Sequence, residues 1–348
     1  MELSQHARVG SVRSWLARLP AMPAMPAMPA LSALSWRGAR AVTAVMVGEV
    51  ATVVRVEARA NGLHLVAAET GPANDLSRCK PLFRGSVGLL VLRSEDRFLL
   101  MLDQPQVPAD ELHLALRWPI GEALGMECEE LLTAAVPLFR SNEATRPQVL
   151  GIAARLDKVK AQLDVLQQAG VKLRSIDVAD TALRGMVLMQ PQLAGSASAL
   201  ALMGSTMYIG LIQEGSICAL RSVPLPERDG QSDARLALQL ALNARRTFDH
   251  YGRQALMTAR SGAPTGIGRA VASVASLSVA GQDTFCQALP EPPELFDLFA
   301  FMQTPPSVRA RCTSSDELTA LACVAAARLF DTGPVAARAP ASPMEVAA

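Results

Sequence analysis

Residues 104–124 read QPQVPADELHLALRWPIGEAL, a stretch framed by prolines that contains one short helical pattern. Pro108 suits the first turn of a helix, where its missing N–H costs nothing. Pro119 is expected to stop or kink that helix just after Trp118. The apolar positions that share one face are Leu112, Ala115 and Leu116. The pattern therefore predicts a helix that docks by one apolar face into a larger fold.

The composition is that of a large globular protein with almost no net charge. The chain has 348 residues, half of them hydrophobic, which is enough for two domains or one large domain of two lobes. A net charge of +1 argues against nucleic acid binding by bulk charge. The six cysteines are scattered without a CxxC spacing, so we expect buried, reduced thiols and neither disulfides nor zinc. No apolar run approaches the ~20 residues that span a bilayer, and the N-terminus lacks a signal-peptide core. These features predict a cytoplasmic protein.

The two ends of the sequence differ from the rest. Between Val9 and Leu19, apolar residues recur at helical spacing among arginines. Residues 1–20 are thus either a basic amphipathic helix that lies on an anionic membrane surface or a weakly ordered leader. Ala-Met-Pro repeats three times over Ala21–Pro29, which predicts a low-complexity linker that runs to about residue 40. The tail from Asp331 is rich in Ala and Pro and is expected to be disordered.

Strand and helix patterns alternate between these ends. Thr43–Val47 and Thr52–Glu57 flank Gly48-Glu49 and predict a hairpin, which Leu63–Ala68 extends. Val87–Leu92 and Phe98–Leu102 are predicted to pair. Further strands are predicted at Val149–Ala153, Lys172–Val178, Ala199–Met203, Met207–Gln213, Ile217–Arg221 and Ala255–Thr258. Helices are predicted from Leu156 to Gly170 and over Val178–Met189, Ser232–Gly252, Ile267–Leu277 and Asp316–Phe330. Both halves open with a strand, a glycine turn and a strand, which suggests two related lobes.

Four segments occur in the order that one known family shows. They are Pro105–Trp118, with its proline pair, Glu-Leu and closing tryptophan, then Ala169–Val178, Ala182–Arg184 and Arg246–Tyr251. Together they resemble the PilM/MshI family of type IV pilus-assembly proteins, most of all its MshI branch. The resemblance covers roughly Ala41 to Phe330.

The resemblance implies an α/β, actin-like fold of two RNase-H-like lobes with a small inserted α+β subdomain. The first lobe is expected at residues 41–84 and 157–195, the insert at 85–156 and the second lobe at 196–330. Residues 1–40 and 331–348 form the leader with its linker and the tail. The resemblance also implies a scaffold at the cytoplasmic face of the inner membrane, in an assembly machine for an MSHA-like pilus. Its partner would be the cytoplasmic tail of a bitopic protein of the PilN/MshJ kind.

The acids that actin-like ATPases use are missing from the matching positions. Where the family has Gly-Ile-Asp-Ile-Gly, this chain has Ala44–Gly48, with Met46 in place of the aspartate. Methionine cannot hold hydrated magnesium. Leu202 stands where the second aspartate is expected. The resemblance therefore implies at most a vestigial nucleotide site, which would comprise Gly48, Gly204 and Ser205. We assign no catalytic residue, metal ligand or ATP cofactor, and residual nucleotide binding stays open.

The partner site is expected in a groove between the first lobe and the insert. Leu114 and Trp118 lie on the flank opposite the apolar stripe and are the candidate contacts for the partner's tail. Two alternatives remain open. One is an actin-like ATPase with relocated acids at Asp177, Asp180 or Asp249, and the other is the cytoplasmic scaffold of a type II secretion system.

Overall fold

The computed structural model describes most of the chain between Arg40 and Thr332. The described residues are 40–108, 111–139, 147–190, 196–203, 206–213, 215–225, 232–258, 269–274 and 277–332. The predicted leader, the Ala-Met-Pro linker and the tail beyond Thr332 lie outside these residues, as do Gly204 and Ser205.

Strands and helices alternate along both halves of the described chain. The first half contains β1 (Ala41–Val47), β2 (Val50–Arg59), β3 (Gly62–Pro72), β4 (Val87–Leu92), β5 (Arg97–Asp103), α1 (Leu112–Ala115), α2 (Arg117–Leu124), β6 (Leu131–Pro137), β7 (Gln148–Arg155), α3 (Leu156–Gln168), β8 (Leu173–Val178) and α4 (Ala182–Leu188). The second half contains β9 (Ser196–Met203), β10 (Thr206–Gln213), β11 (Ser216–Pro224), α5 (Asp233–Thr258), β12 (Ala270–Ser273), α6 (Val279–Gln287), β13 (Glu294–Leu295), α7 (Leu298–Phe301), β14 (Met302–Gln303), α8 (Pro306–Thr313) and α9 (Asp316–Thr332).

The first sheet has six strands in the order β14-β3-β2-β1-β4-β8. β1, β2 and β3 form an antiparallel meander, while β4 and β8 run parallel to β1. β1 reads AVTAVMV and is buried throughout, because strands cover both of its edges and α9 packs against it. The predicted hairpin around Gly48 is confirmed, and Met46 lies opposite Thr52.

The second sheet repeats the plan of the first. Its order is β11-β10-β9-β12-β13, again an antiparallel meander followed by two parallel strands. Strand order and strand directions match those of β3-β2-β1-β4-β8, so the prediction of two related lobes is confirmed. The apolar face of α5 covers this sheet with Leu236, Leu240 and Ala244, which pack with Phe285 of α6.

A third sheet, in the order β5-β7-β6, forms a small separate layer. On one of its faces Val149 and Ala153 pack with residues of α1 and α2. On the other face Leu150 and Ile152 join the core of the first lobe. β4 lies within the predicted insert range but belongs to the first sheet. Likewise, β14 and α9 fall in the predicted second-lobe range, yet they pack on the first sheet. The domain boundaries themselves stay a prediction.

One predicted strand pairing and one predicted strand are wrong, because a short apolar run does not show which strands or helices lie next to it. β4 and β5 do not pair: β4 lies between β1 and β8, whereas β5 pairs with β7. The strand predicted at Ala255–Thr258 is the end of helix α5. Four apolar or small residues fit a buried strand and a buried helix equally well.

The helix predicted over Ile267–Leu277 is also wrong. Its described part contains the strand β12, which lies between β9 and β13. Val271 and Ala272 are fully buried there. A continuous apolar run is typical of a central parallel strand, which is buried on both faces.

Pro119 does not end the helix that the sequence predicts. The chain breaks earlier, at Leu116, and Arg117 begins α2. Pro119 then lies in the first turn of α2, where no intrahelical partner is needed for its nitrogen. Gly125, at φ +65°, ends α2 in the left-handed conformation that glycine favours. The apolar stripe continues through the break, since Leu112, Leu116 and Ile120 are all buried.

Candidate functional site

The first hairpin turn is the best described part of the expected vestigial nucleotide site. Gly48 follows β1 and its N–H donates to the Val50 carbonyl at 3.2 Å. Met46, which replaces the family's aspartate, is 4% exposed and packs in the first-lobe core. A buried thioether presents no ligand to a hard cation such as Mg²⁺. The other two expected residues, Gly204 and Ser205, lie outside the described residues.

Arg93 covers this turn. A methyl group added at Gly48 would overlap the Arg93 guanidinium, so the arginine lies directly against the glycine backbone. Two carboxylates hold it there: Nε lies 2.9 Å from Glu95, and Nη2 lies 3.3 Å from Glu317 of α9. Glu317 also accepts a hydrogen bond from Thr52 of β2 at 3.3 Å. Arg93 therefore connects the end of β4 with α9.

Polar contacts cross from the β4–β5 connection to the second sheet. The Ser94 and Thr206 hydroxyls are 2.9 Å apart. The Arg97 guanidinium lies over the Tyr208 ring, 5.7 Å from its centroid, within the range of a cation–π contact. Arg97 also pairs with Asp180, which follows β8. These contacts join the first lobe and the insert to the second sheet.

A small cavity lies behind these contacts. A cavity of about 10 Å³ lies between the lobes, with walls from α4, β9, β10 and α9 that include Ala182, Ala201, Tyr208 and Cys323. That volume accommodates about one water molecule. Pockets that bind drug-sized ligands measure roughly 300–1,000 Å³.

Two of the three acids proposed for a relocated ATPase site are held by arginines, and the third lies on the surface. Arg328 Nε donates to Asp177 at 2.6 Å. Asp180 pairs with Arg97 at 2.7 Å. Asp249 lies on the exposed side of α5, 4.0 Å from Arg245. Within the described residues, no group of three or more His, Cys, Asp or Glu side chains is placed to hold a metal ion.

The outer surface of the insert carries the two residues expected to contact a partner. Leu114 and Trp118 are each 56% exposed, on the side of α1 and α2 away from the buried stripe. Arg117, between them, donates to the Cys128 and Leu131 carbonyls and fixes α2 to the start of β6. Ala115, which was expected in the stripe, is only partly buried.

The insert also has a sheet edge that no described strand covers. Of the described strands, β5 pairs only with β7. Met101 in the middle of β5 is 41% exposed. An apolar edge of this kind is suited to adding a strand from another chain.

Comparison with solved structures identifies the architecture. One chain of a "PilM-PilN type IV pilus biogenesis complex" superposes with a TM-score of 0.58 at 15% sequence identity. The match covers 82% of this chain and 98% of the other. The fold is actin-like. At such low identity, this match establishes the fold alone.

Other solved structures resemble the actin-like chain more distantly. The cytoplasmic domain of EpsL, an inner-membrane component of the type II secretion system of Vibrio cholerae, matches 82% of this chain and 95% of its own. Its TM-score is 0.43 at 14% identity. A protein of unknown function with an actin-like ATPase fold from Bacteroides thetaiotaomicron has a TM-score of 0.43 at 8% identity, over 80% of this chain and 96% of its own. No protein-family model and no curated protein matches the sequence.

Two features of the site could not be found from the sequence pattern. Arg93 and Arg97 flank a short polar turn, Ser94–Asp96, and resemble ordinary surface residues there. An available signal was their position directly after the fully apolar run of β4, at the carboxyl end of a central strand, where α/β sites commonly form.

Helices long and apolar enough to cross a bilayer are absent from the described part of the chain.

Proposed function

We propose that this chain is a non-catalytic cytoplasmic scaffold of a type IV, MSHA-like pilus-assembly machine. It acts at the cytoplasmic face of the inner membrane and binds the cytoplasmic tail of a bitopic partner of the PilN/MshJ kind. The fold shared with a chain of the PilM–PilN complex supports this proposal, together with the four family-like segments in their order. The observation that carries it is the pair Leu114 and Trp118, two large apolar side chains exposed on the insert opposite the buried face of the same helices.

Physical reasons favour the insert as the place where the tail binds. Leu114 and Trp118 are exposed apolar side chains four residues apart, and Leu116 and Ile120 of the same segment are buried in the small core. An exposed tryptophan on a rigid support is a common binding hot spot, because its large surface is desolvated at little entropic cost. The open edge of β5 gives an extended tail a second means of attachment through backbone hydrogen bonds.

The proposal is tested by measuring how tightly the labelled cytoplasmic peptide of the PilN-like partner binds, by fluorescence anisotropy. A variant with Leu114→Ser and Trp118→Ser is expected to weaken binding by at least about tenfold, in line with hot-spot truncations. The matched control is Leu238→Ser with Leu242→Ser, another exposed leucine pair four residues apart, on α5. Equal affinity of wild type and both variants would place the tail elsewhere and reject this site. Failure of the peptide to bind wild type would reject the partner.

A further inference from the structure

An actin-like fold implies that Mg²⁺ and ATP bind between its two hairpin turns. The residues at the first turn show whether a nucleotide phosphate could bind there. In ATPases of this fold, the turn glycine lets phosphate approach the backbone. In this chain Gly48 has that open backbone, but the Arg93 guanidinium fills the space above it. The only acid expected nearby is replaced by the buried Met46.

Arg93 is held where it is and is not a free cation that awaits a phosphate. Glu95 and Glu317 balance its charge from two sides. Glu317 is fixed in turn by the hydroxyl of Thr52, which is buried. A nucleotide phosphate would have to displace two carboxylates from the guanidinium, and both carboxylates would repel it.

Buried side chains also lie where the β4–β5 connection meets the second sheet. Arg97, Asp180 and Tyr208 are buried there, next to a cavity of about 10 Å³. The described residues at the first turn therefore do not fit a nucleotide phosphate with its metal.

We infer that the guanidinium of Arg93 takes the place of the nucleotide at the first hairpin turn, so that the chain's own side chains hold the lobes together. Arg93 connects β4 to α9 over Gly48, while Ser94 and Arg97 reach across to β10. The chain's own side chains thus connect the two lobes with no bound ligand. This inference concerns the cleft and is independent of the partner-binding surface on the insert.

Nucleotide binding is the first test. Titration of the wild-type chain with a fluorescent ATP analogue and magnesium is expected to show no saturable binding up to millimolar concentration. Saturable binding at micromolar concentration would overturn the inference. The measurement needs no variant, so it stands even if a cleft mutant fails to fold, and it is separate from the peptide-binding assay above.

A double-mutant cycle in thermal unfolding is the second test. Gly48→Ala displaces the guanidinium, and Arg93→Ala removes it, so both changes should break the same contact. The fall in Tm of the double variant should therefore equal that of the more damaging single variant, rather than the sum of both. Gly71→Ala has open space around it and serves as the control, whose effect should add to that of Arg93→Ala. An additive result for Gly48→Ala and Arg93→Ala would show that Arg93 does not rest on the turn and would overturn the inference.

Discussion

The Arg97 guanidinium and the Asp180 carboxylate form an ion pair that is almost completely buried: Nη2 lies 2.7 Å from the carboxylate oxygens, and the two side chains are 4% and 1% exposed. Arg97 begins β5 of the insert, whereas Asp180 follows β8 of the first lobe. Burial raises the pKa of the Asp180 carboxyl, although the guanidinium opposes the shift. Because the Arg97 guanidinium also lies over the Tyr208 ring of β10, the pair lies where the insert, the first lobe and the second lobe meet.

Breaking this pair from one side should be strongly destabilising. Asp180→Ala leaves a buried guanidinium without its counter-charge, and we expect it to lower the free energy of unfolding by about 3–5 kcal/mol. Replacing both partners, with Arg97→Met and Asp180→Leu, should cost much less, because no buried charge remains. Urea unfolding followed by circular dichroism measures both values. A loss below about 1 kcal/mol for Asp180→Ala would show that the pair is not buried in solution.

The contact between α4 and α9 leaves no room for a larger side chain at Gly185. A methyl group at Gly185 would overlap the Ala327 side chain, which belongs to a helix packed in the first-lobe core. We expect Gly185→Ala to cost about 1–3 kcal/mol, as overpacking does. Gly71→Ala in β3 meets nothing within 4 Å and should be neutral or slightly stabilising. Thermal unfolding distinguishes them, and equal Tm values would contradict the packing of these helices.

The insert should depend on its own small core. Ile120 is fully buried between α2 and the third sheet, and Ile120→Ala is expected to cost about 2–5 kcal/mol. Trp118→Ala on the opposite side should change stability by less than about 1 kcal/mol. Hydrogen exchange of β5 and β7 amides would report the loss locally. Comparable losses in the two variants would mean that Trp118 is part of the core and not a free contact surface.

Alkaline pH should destabilise the reduced protein. Burial raises the thiol pKa of Cys218 and Cys312 to about 11 and that of Cys323 to about 12, from an ordinary value of 9.0. Because the pKa of these thiols is higher in the folded state, the unfolded chain loses the thiol protons at a lower pH than the folded protein does. Stability is therefore complete below about pH 9 and is lost as pH rises through about 11–12.

Urea midpoints measured with a reductant at pH 7.5, 9 and 10.5 test this pH dependence. Burial also raises the pKa of Tyr208 to about 12, so Tyr208→Phe should remove part of the slope above pH 10. A midpoint that is constant up to pH 10.5 would show that the thiols are not buried.

Much of each lobe could be predicted from local pattern. The β-branched runs on either side of Gly48 indicated the first hairpin, and the parallel succession of strand, glycine turn and strand in both halves indicated two related lobes. Spacing of four residues along α5 indicated which face it buries. These signals are local, because the spacing of apolar residues can be recognised in any short segment of the sequence.

Other features depend on neighbours that no window contains. β4 and β12 are short apolar runs, and only their positions between two parallel strands make them central strands of a sheet. Pro119 was expected to end a helix after Trp118, yet the break falls at Leu116, because the proline offers no N–H to the Ala115 carbonyl and its ring crowds that carbonyl. Arg93 contacts Gly48, which follows β1, and Glu317 of α9, and these two residues are more than two hundred positions apart in the chain.

The sequence by itself determined most of the strands and helices, the duplicated plan and the loss of the acid at Met46, since composition and periodicity are properties of short segments. Only the tertiary structure decided that Arg93 covers Gly48 and that Asp180 is neutralised by Arg97. It also decided that Leu114 and Trp118 stay exposed while Leu116 and Ile120 do not. These facts depend on which surfaces meet when the sheets pack, and burial of a charged or apolar side chain is an outcome of that packing rather than of its local sequence.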